Sequence, residues 1–197
     1  MIGPLVPSPI GHALAGVAVA WSTDLLDRHP SSPRLVAVSA ALAMLPDADL
    51  LVPGTHRMGT HSVMAAALIF IVAAVVTGKV TPRVSDTFRP AWRPAVICAA
   101  AYASHLLLDW LGADNSPPRG LQLFWPFSDA WYVSDLDVFR QTARRQFLTA
   151  PIIRQNAIAI AQELAILVPI VAALYLVRVK TLAGLAPQLS GGDHPAQ

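Results

Sequence analysis

The sequence predicts an all-α integral membrane protein, a bundle of about five helices with a polar metal site at one end. Three observations carry that expectation. Of 197 residues, 54% are hydrophobic and only 13% charged, against roughly 25% charged in ordinary soluble domains; the mean hydropathy is +0.51. Apolar stretches of helical length alternate with polar, proline-containing connections. The histidines and aspartates gather in short polar islands inside this apolar background.

The helices follow in order. The first stretch, Gly11–Leu26, is apolar and then picks up Trp21, Ser22, Thr23 and Asp24. The second, Arg34–Leu45, is rich in alanine and valine but too short to cross a bilayer, which takes roughly 20 residues. Ser62–Thr77 carries no charge, and Thr60 before it is a candidate N-cap. Ala95–Leu111 is apolar until His105 and Asp109, and Ala157–Val177 is long enough to span despite Gln162, Glu163 and Pro169. Residues 1–185 read as a single membrane-embedded domain, and 186–197 as a disordered Gly- and Pro-containing tail. Met1–Ile10 lacks a basic n-region and reads as a proline-rich lead-in, not a cleaved signal peptide.

The connection Gly112–Pro151 holds the aromatic run Leu123–Phe127 and then Trp131 and Tyr132, residues suited to headgroup level. Within it, Asp135–Thr149, with Arg140, Arg144 and Arg145, is expected to form a surface helix facing headgroups. Membrane lipids are therefore the expected partners. A net charge of +2 is too small to argue for nucleic acid. The single cysteine, Cys98, excludes an intrachain disulfide framework and any multi-cysteine metal cluster.

Three islands carry chemistry: His12; Asp47 and Asp49 followed by His56, Arg57 and His61; and His105 with Asp109. If the first helix leaves one face of the bundle at His12, the second returns to it at Asp47 and Asp49. The loop with His56 and His61 stays there, the third helix departs, and the fourth comes back with His105 and Asp109. The last two are four residues apart and share a helix face. All seven then converge on one side. Imidazole with carboxylate suits zinc, and also manganese or iron. Seven candidates exceed what one four-coordinate ion needs, so the expected cofactor is one or two divalent ions with some residues supporting the ligands. Arg57 is a candidate to hold a phosphate oxygen and Asp49 a candidate catalytic carboxylate. His29 and His194 read as solvated, and Glu163, the one glutamate, as a buried contact of unassigned role.

The motifs GHALAG, LPDADLL, HRMGTHS, SHLLLDWLG and LQLFWPFSD, in this order from Ile10 to Asp129, resemble the bacterial membrane-bound metal-dependent hydrolases. That family is distantly similar to the zinc-dependent phospholipases C and single-strand nucleases. The resemblance implies phosphoester hydrolysis, with His12, Asp47 or Asp49, His61, His105 and Asp109 at the metal-ligating positions. It further implies that Asp109 bridges two ions and that a loop aspartate orients the attacking water. The chain departs from the phospholipase pattern after Asp109. No histidine follows until His194, and Ala159, not histidine, stands four residues before Glu163, which points to one or two ions rather than three.

The expected activity is thus a metal-dependent hydrolase of phosphoester bonds, on lipid or lipid-linked substrates. The competing expectation is non-enzymatic: a metal-ion transporter, or a scaffold whose polar islands hold helices together. Sidedness rests on counting cations. Arg28, Arg34, Lys79, Arg83, Arg89, Arg93, Arg178 and Lys180 fall on the far side, and Arg57, Arg119, Arg140, Arg144, Arg145 and Arg154 on the site's side. By the positive-inside rule the site then faces away from the cytoplasm, in a bacterial inner membrane.

Overall fold

The computed structural model describes residues 7–27, 30–52, 56–80, 92–115, 117–143, 146 and 148–190. Its regular elements are helices, and among the described residues the α-helices are five: α1 (Pro9–Asp27), α2 (Pro33–Met44), α3 (Val63–Val80), α4 (Arg93–Leu111) and α5 (Ala150–Ser190). Two short 3-10 segments, Leu45–Leu51 and Gly59–His61, lie between α2 and α3. His29 and His194 fall outside the described residues, as does most of the basic connection before α4.

Local chemistry sets the helix starts. Ser32 accepts a hydrogen bond from the Leu35 amide at 3.2 Å, with Pro33 in the first turn, so α2 begins where its fixed φ and missing donor are tolerated. α3 is capped by Ser62, whose Oγ accepts from Ala65 N at 3.1 Å. Thr60 is not the cap; its hydroxyl is turned toward Asp49 instead. α5 runs on to Ser190, past Leu185, where the sequence predicts the tail to begin.

α1 and α4 form the centre. α1 packs on α2, α4 and α5, and α4 also packs on α2 and α3. The helices meet through small side chains: Ala15, Ala20, Ala43, Ala66, Ala95 and Ala101 are buried. A Cβ on Gly16 would run into the backbone carbonyl of Ser39, so glycine there permits the close approach of α1 and α2. Many large apolar side chains face outward, including Leu68, Ile71, Val72 and Val76 on α3 and Ile170, Leu176 and Val177 on α5. Buried alanines and polar groups at the helix contacts, under so apolar an exterior, are the pattern for a protein surrounded by lipid.

Among the described residues two stretches are long and apolar enough to cross a membrane, Arg93–Leu111 and Ala150–Gly184, and the most apolar part of the second is mostly unburied. Arg154 and Arg178 bracket a largely apolar part of α5 whose one charged residue is Glu163. At about 1.5 Å per residue they stand roughly 36 Å apart, close to a hydrocarbon core of about 30 Å with its edges.

The segment 112–149 does not form the surface helix predicted over Asp135–Thr149. Its described residues run extended, with Asp135, Asp137 and Gln146 at positive φ (56°, 49° and 54°), which interrupts any helix. The segment is stitched over one end of the bundle by backbone bonds from Ala113 to Phe139, Val138 to Leu111, Ser134 to Trp110 and Val63 to Leu123, all 2.8–3.0 Å. Phe139 plugs the end of the core against Ala15, Leu108 and Leu167. Phe124, Trp125 and Phe127 stay exposed beside it.

Candidate metal centre

Under this cap the structure brings His12, Asp47, Asp49, His56, His61, His105 and Asp109 together. α1 supplies His12 from its first turn, the 3-10 segment after α2 supplies Asp47 and Asp49, the turn before α3 supplies His56 and His61, and the last turns of α4 supply His105 and Asp109. His12, His61 and His105 are wholly buried.

The donor atoms face one another. His61 Nε2 lies 3.1 Å from His105 Nε2. Asp109 Oδ2 lies 3.5 Å from the first and 3.3 Å from the second. Asp47 Oδ1 is 3.9 Å from both nitrogens. His12 Nε2 lies 3.2 Å from Asp109 Oδ1, and its ring stacks on His105 at 3.6 Å. A tetrahedral ion with ligands at about 2.0–2.1 Å holds its donors roughly 3.3 Å apart, so these spacings fit a first ion. Among the described residues two groups bring their ligand atoms within 4.8 Å of one another: His12, His105 and Asp109, and beside them Asp47, His56 and His61.

Tautomers sharpen the fit. His105 Nδ1 lies 2.7 Å from the Ala43 carbonyl, which accepts only, so this nitrogen donates and a neutral His105 has a bare Nε2. His61 Nδ1 lies 3.1 Å from Asp49 Oδ2 and by the same logic donates to it. Two bare nitrogens 3.1 Å apart repel unless a cation stands by them. Rings fixed from behind by a carbonyl and a carboxylate are the usual support of metal-bound histidine. Buried atoms left without hydrogen bonds say the same: both oxygens of Asp47, both nitrogens of His12, His56 Nε2 and Asp109 Oδ1. His12 Nε2 and Asp109 Oδ1 are near each other but not aligned as a hydrogen bond. Buried polar groups in this state are rare and call for a ligand.

In the protein alone a proton answers part of this need. Burial works to lower the His61 pKa, but bonding to Asp109 and Asp49 outweighs it and lifts it to about 9. Burial likewise works to raise Asp49, and the donors His56, His61 and Thr60 prevail, holding its carboxyl well below the usual carboxylate range.

The two aspartates of the 3-10 segment therefore differ. Asp49 accepts from Thr60 Oγ1 at 2.8 Å and the Arg57 amide at 3.0 Å, besides its contacts to His56 Nδ1 at 2.9 Å and His61. It is a hub that orients the loop. Asp47 is the carboxylate whose oxygens remain uncommitted. Tyr102 steadies the same loop by donating to the Thr60 carbonyl at 2.5 Å.

Arg57 stands differently from the phosphate clamp expected of it. It is buried, and its guanidinium pairs with Asp114. Its φ is 66°, a region costly for a side-chain-bearing residue. Its amide donates to Asp49 and its carbonyl accepts from the Gln122 amide at 3.0 Å. Asp114 also accepts from the Gly120 amide at 2.7 Å. Asp114 was not a candidate in the sequence, because 57 residues separate it from Arg57.

Glu163 finds a role at the start of α1. It accepts from the Ser8 amide at 3.0 Å and the Ser8 hydroxyl at 2.5 Å. A Cβ on Gly11 would overlap Glu163 Oε1. The carboxylate thus caps the positive end of α1 and seats His12 one residue beyond that glycine.

Comparison with known proteins agrees on the compartment. No curated protein and no solved structure matches the chain. Residues 8–184 match the family model described as YdjM inner membrane protein. Matched over α1 to α5, and with helices apolar enough to cross a bilayer, the chain belongs to the YdjM inner membrane protein family.

Proposed function

We propose that this protein is a membrane-bound, metal-dependent hydrolase of phosphoester bonds, with lipid or lipid-linked substrates. One observation carries the proposal: His61 Nε2 and His105 Nε2, each bare by its tautomer, face each other and Asp109 at ligand spacing. The motif resemblance to bacterial membrane-bound metal-dependent hydrolases supports the reaction class.

His61, His105, Asp109 and Asp47 would hold the first ion, and His12 or His56 a second. When bound, a divalent ion such as zinc supplies Lewis acidity and lowers the pKa of coordinated water to about 7. Asp49 keeps His61 in the tautomer that presents Nε2. Asp47, with uncommitted oxygens, is the carboxylate placed to ligate or to accept a proton from attacking water. Phe124, Trp125 and Phe127, exposed on the capping segment, are suited to the headgroup layer. The cation count favours a site facing away from the cytoplasm.

A transporter needs ligating groups through the depth of the membrane. Outside the cluster the described carboxylates of the bundle are committed: Asp24 to Ser31, Arg93 and Arg178, and Glu163 to Ser8. This favours the enzyme. The test is metal analysis of purified protein with a phosphodiesterase panel. Bound metal and hydrolysis, both lost in His61→Ala and Asp109→Ala, are expected. Metal-free protein, or activity unchanged in both variants, would overturn the proposal; metal uptake into proteoliposomes would favour transport.

A further inference from the structure

A second polar site lies on the same end of the bundle, outside the cluster. The turn after α4 and the extended segment before α5 leave a groove of about 530 Å³ against the first turns of α5. Asn115, Arg140, Gln141, Arg154 and Gln155 line it, with Ile158 as an apolar wall. Its volume lies within the range of about 300–1,000 Å³ typical of small-ligand sites.

Its chemistry has one sign. Two guanidinium groups share the groove with amide side chains, and no carboxylate among the described residues lines it. Among the described residues neither arginine has an ion-pair partner, unlike Arg57, Arg93, Arg119 and Arg178. Gln141 Nε2 is a buried donor without a hydrogen bond. The groove also lies on the N-terminus of a 41-residue helix, where the helix dipole is positive.

The walls are held in place. Asn156 of α5 clips the segment twice: its Oδ1 accepts from Ala143 N at 2.7 Å and its Nδ2 donates to Ala143 O at 2.8 Å. The Ala113 amide bonds Phe139 O at 2.8 Å, tying the residue before Arg140 to the end of α4. Arg154 marks one edge of the apolar span of α5, so the groove opens at headgroup depth.

We propose that this groove is an anion site for a phosphate group, with Arg140 and Arg154 as its paired cations, Gln141 as a neutral donor and Ile158 contacting the apolar part of the ligand. The site does not depend on the metal centre, and it stands or falls separately from the hydrolase proposal.

The test uses the full chain in detergent and in nanodiscs. Three forms are compared: wild type, Arg140→Gln/Arg154→Gln, and His61→Ala/Asp109→Ala. One arm titrates metal-free protein with inorganic phosphate by calorimetry. The other counts retained lipid by native mass spectrometry after reconstitution with phosphatidylcholine alone or with phosphatidic acid added. The arginine variant should weaken phosphate binding or phosphatidic acid retention at least about tenfold, as expected for losing two charge-assisted contacts, while the cluster variant matches wild type. An effect in the phosphate arm alone assigns free phosphate as the source, and an effect in the lipid arm assigns the headgroup. Arg140→Lys/Arg154→Lys should restore part of the binding, since both positions are exposed and tolerate substitution. Equal binding by wild type and the glutamine variant in both arms, or loss only in the cluster variant, would overturn the proposal.

Discussion

The two ends of the bundle both bury charge, and they do so in opposite ways. At the far end Asp24 of α1 accepts from Ser31 N at 2.7 Å, Ser31 Oγ at 2.6 Å, Arg93 at 3.2 Å and Arg178 at 2.6 Å. Arg178 also lies over the Trp21 ring. This network ties α1, α4 and α5 together with its donors and acceptors matched. At the other end, four histidines and three aspartates crowd together, and atoms of His12, Asp47, His56 and Asp109 are left without hydrogen bonds. Saturated buried polarity holds helices together; unsaturated buried polarity waits for a ligand. The distinction lies in which atoms have partners, not in which residue types are present.

The comparison breaks most readily at the far end. Removing one member of a buried ion network leaves the others uncompensated, at about 3–5 kcal/mol. Asp24→Ala should therefore lower unfolding stability by that order in detergent, equally with and without chelator. Stability changing with chelator more than in wild type would contradict a purely structural role for Asp24.

At the metal end the dependence should reverse. Chelation should destabilise wild type by about 4 kcal/mol if the ion is present at roughly a thousand times its dissociation constant, and Asp109→Ala should abolish that difference. A melting temperature blind to chelator in wild type would remove the contrast between the ends.

Asp49→Asn should have a smaller effect, because Asp49 orients His61 rather than facing the shared centre. Loss of such a supporting carboxylate typically costs about 10–100-fold in metal affinity. Asp47→Asn, at an uncommitted carboxylate, should cost more than Asp49→Asn in metal titrations. The opposite order would exchange their roles.

The same end of the bundle should also respond to pH. In metal-free protein the His61 pKa, about 9, stands above its unfolded value of about 6.5. Protonated His61 thus contributes stability that is fully present below about pH 6.5 and is lost as pH rises through about 9. Metal binding must displace that proton, so affinity should rise with pH across the same window. Calorimetry in buffers of different ionisation enthalpy should read proton release near pH 7, and none would contradict the protonated apo state.

Much of the arrangement is legible in the sequence. Five apolar segments foretell the five helices, and a four-residue spacing puts His105 and Asp109 on one helix face. Chain direction alone brings His12, the 3-10 segment and the His56–His61 turn to the same end. What sequence could not resolve depends on contacts between distant residues. Asp47 and Asp49 are two apart and chemically identical, and what distinguishes them is the set of donors around Asp49: the Thr60 hydroxyl, the Arg57 amide and the Nδ1 atoms of His56 and His61. Glu163 reaches Ser8 across 155 residues and Arg57 reaches Asp114 across 57; no local pattern encodes either. The arginines of the segment before α5 suggest a surface helix, yet Asp135 and Asp137 adopt positive φ and the chain turns into a cap.

The most direct test of the central claim is X-ray absorption spectroscopy on protein purified and loaded with zinc. The account predicts a nitrogen and oxygen shell at about 2.0–2.1 Å with imidazole scattering that weakens in His61→Ala and in His105→Ala. Zinc that washes away from wild type, or a spectrum unchanged in both variants, would contradict it.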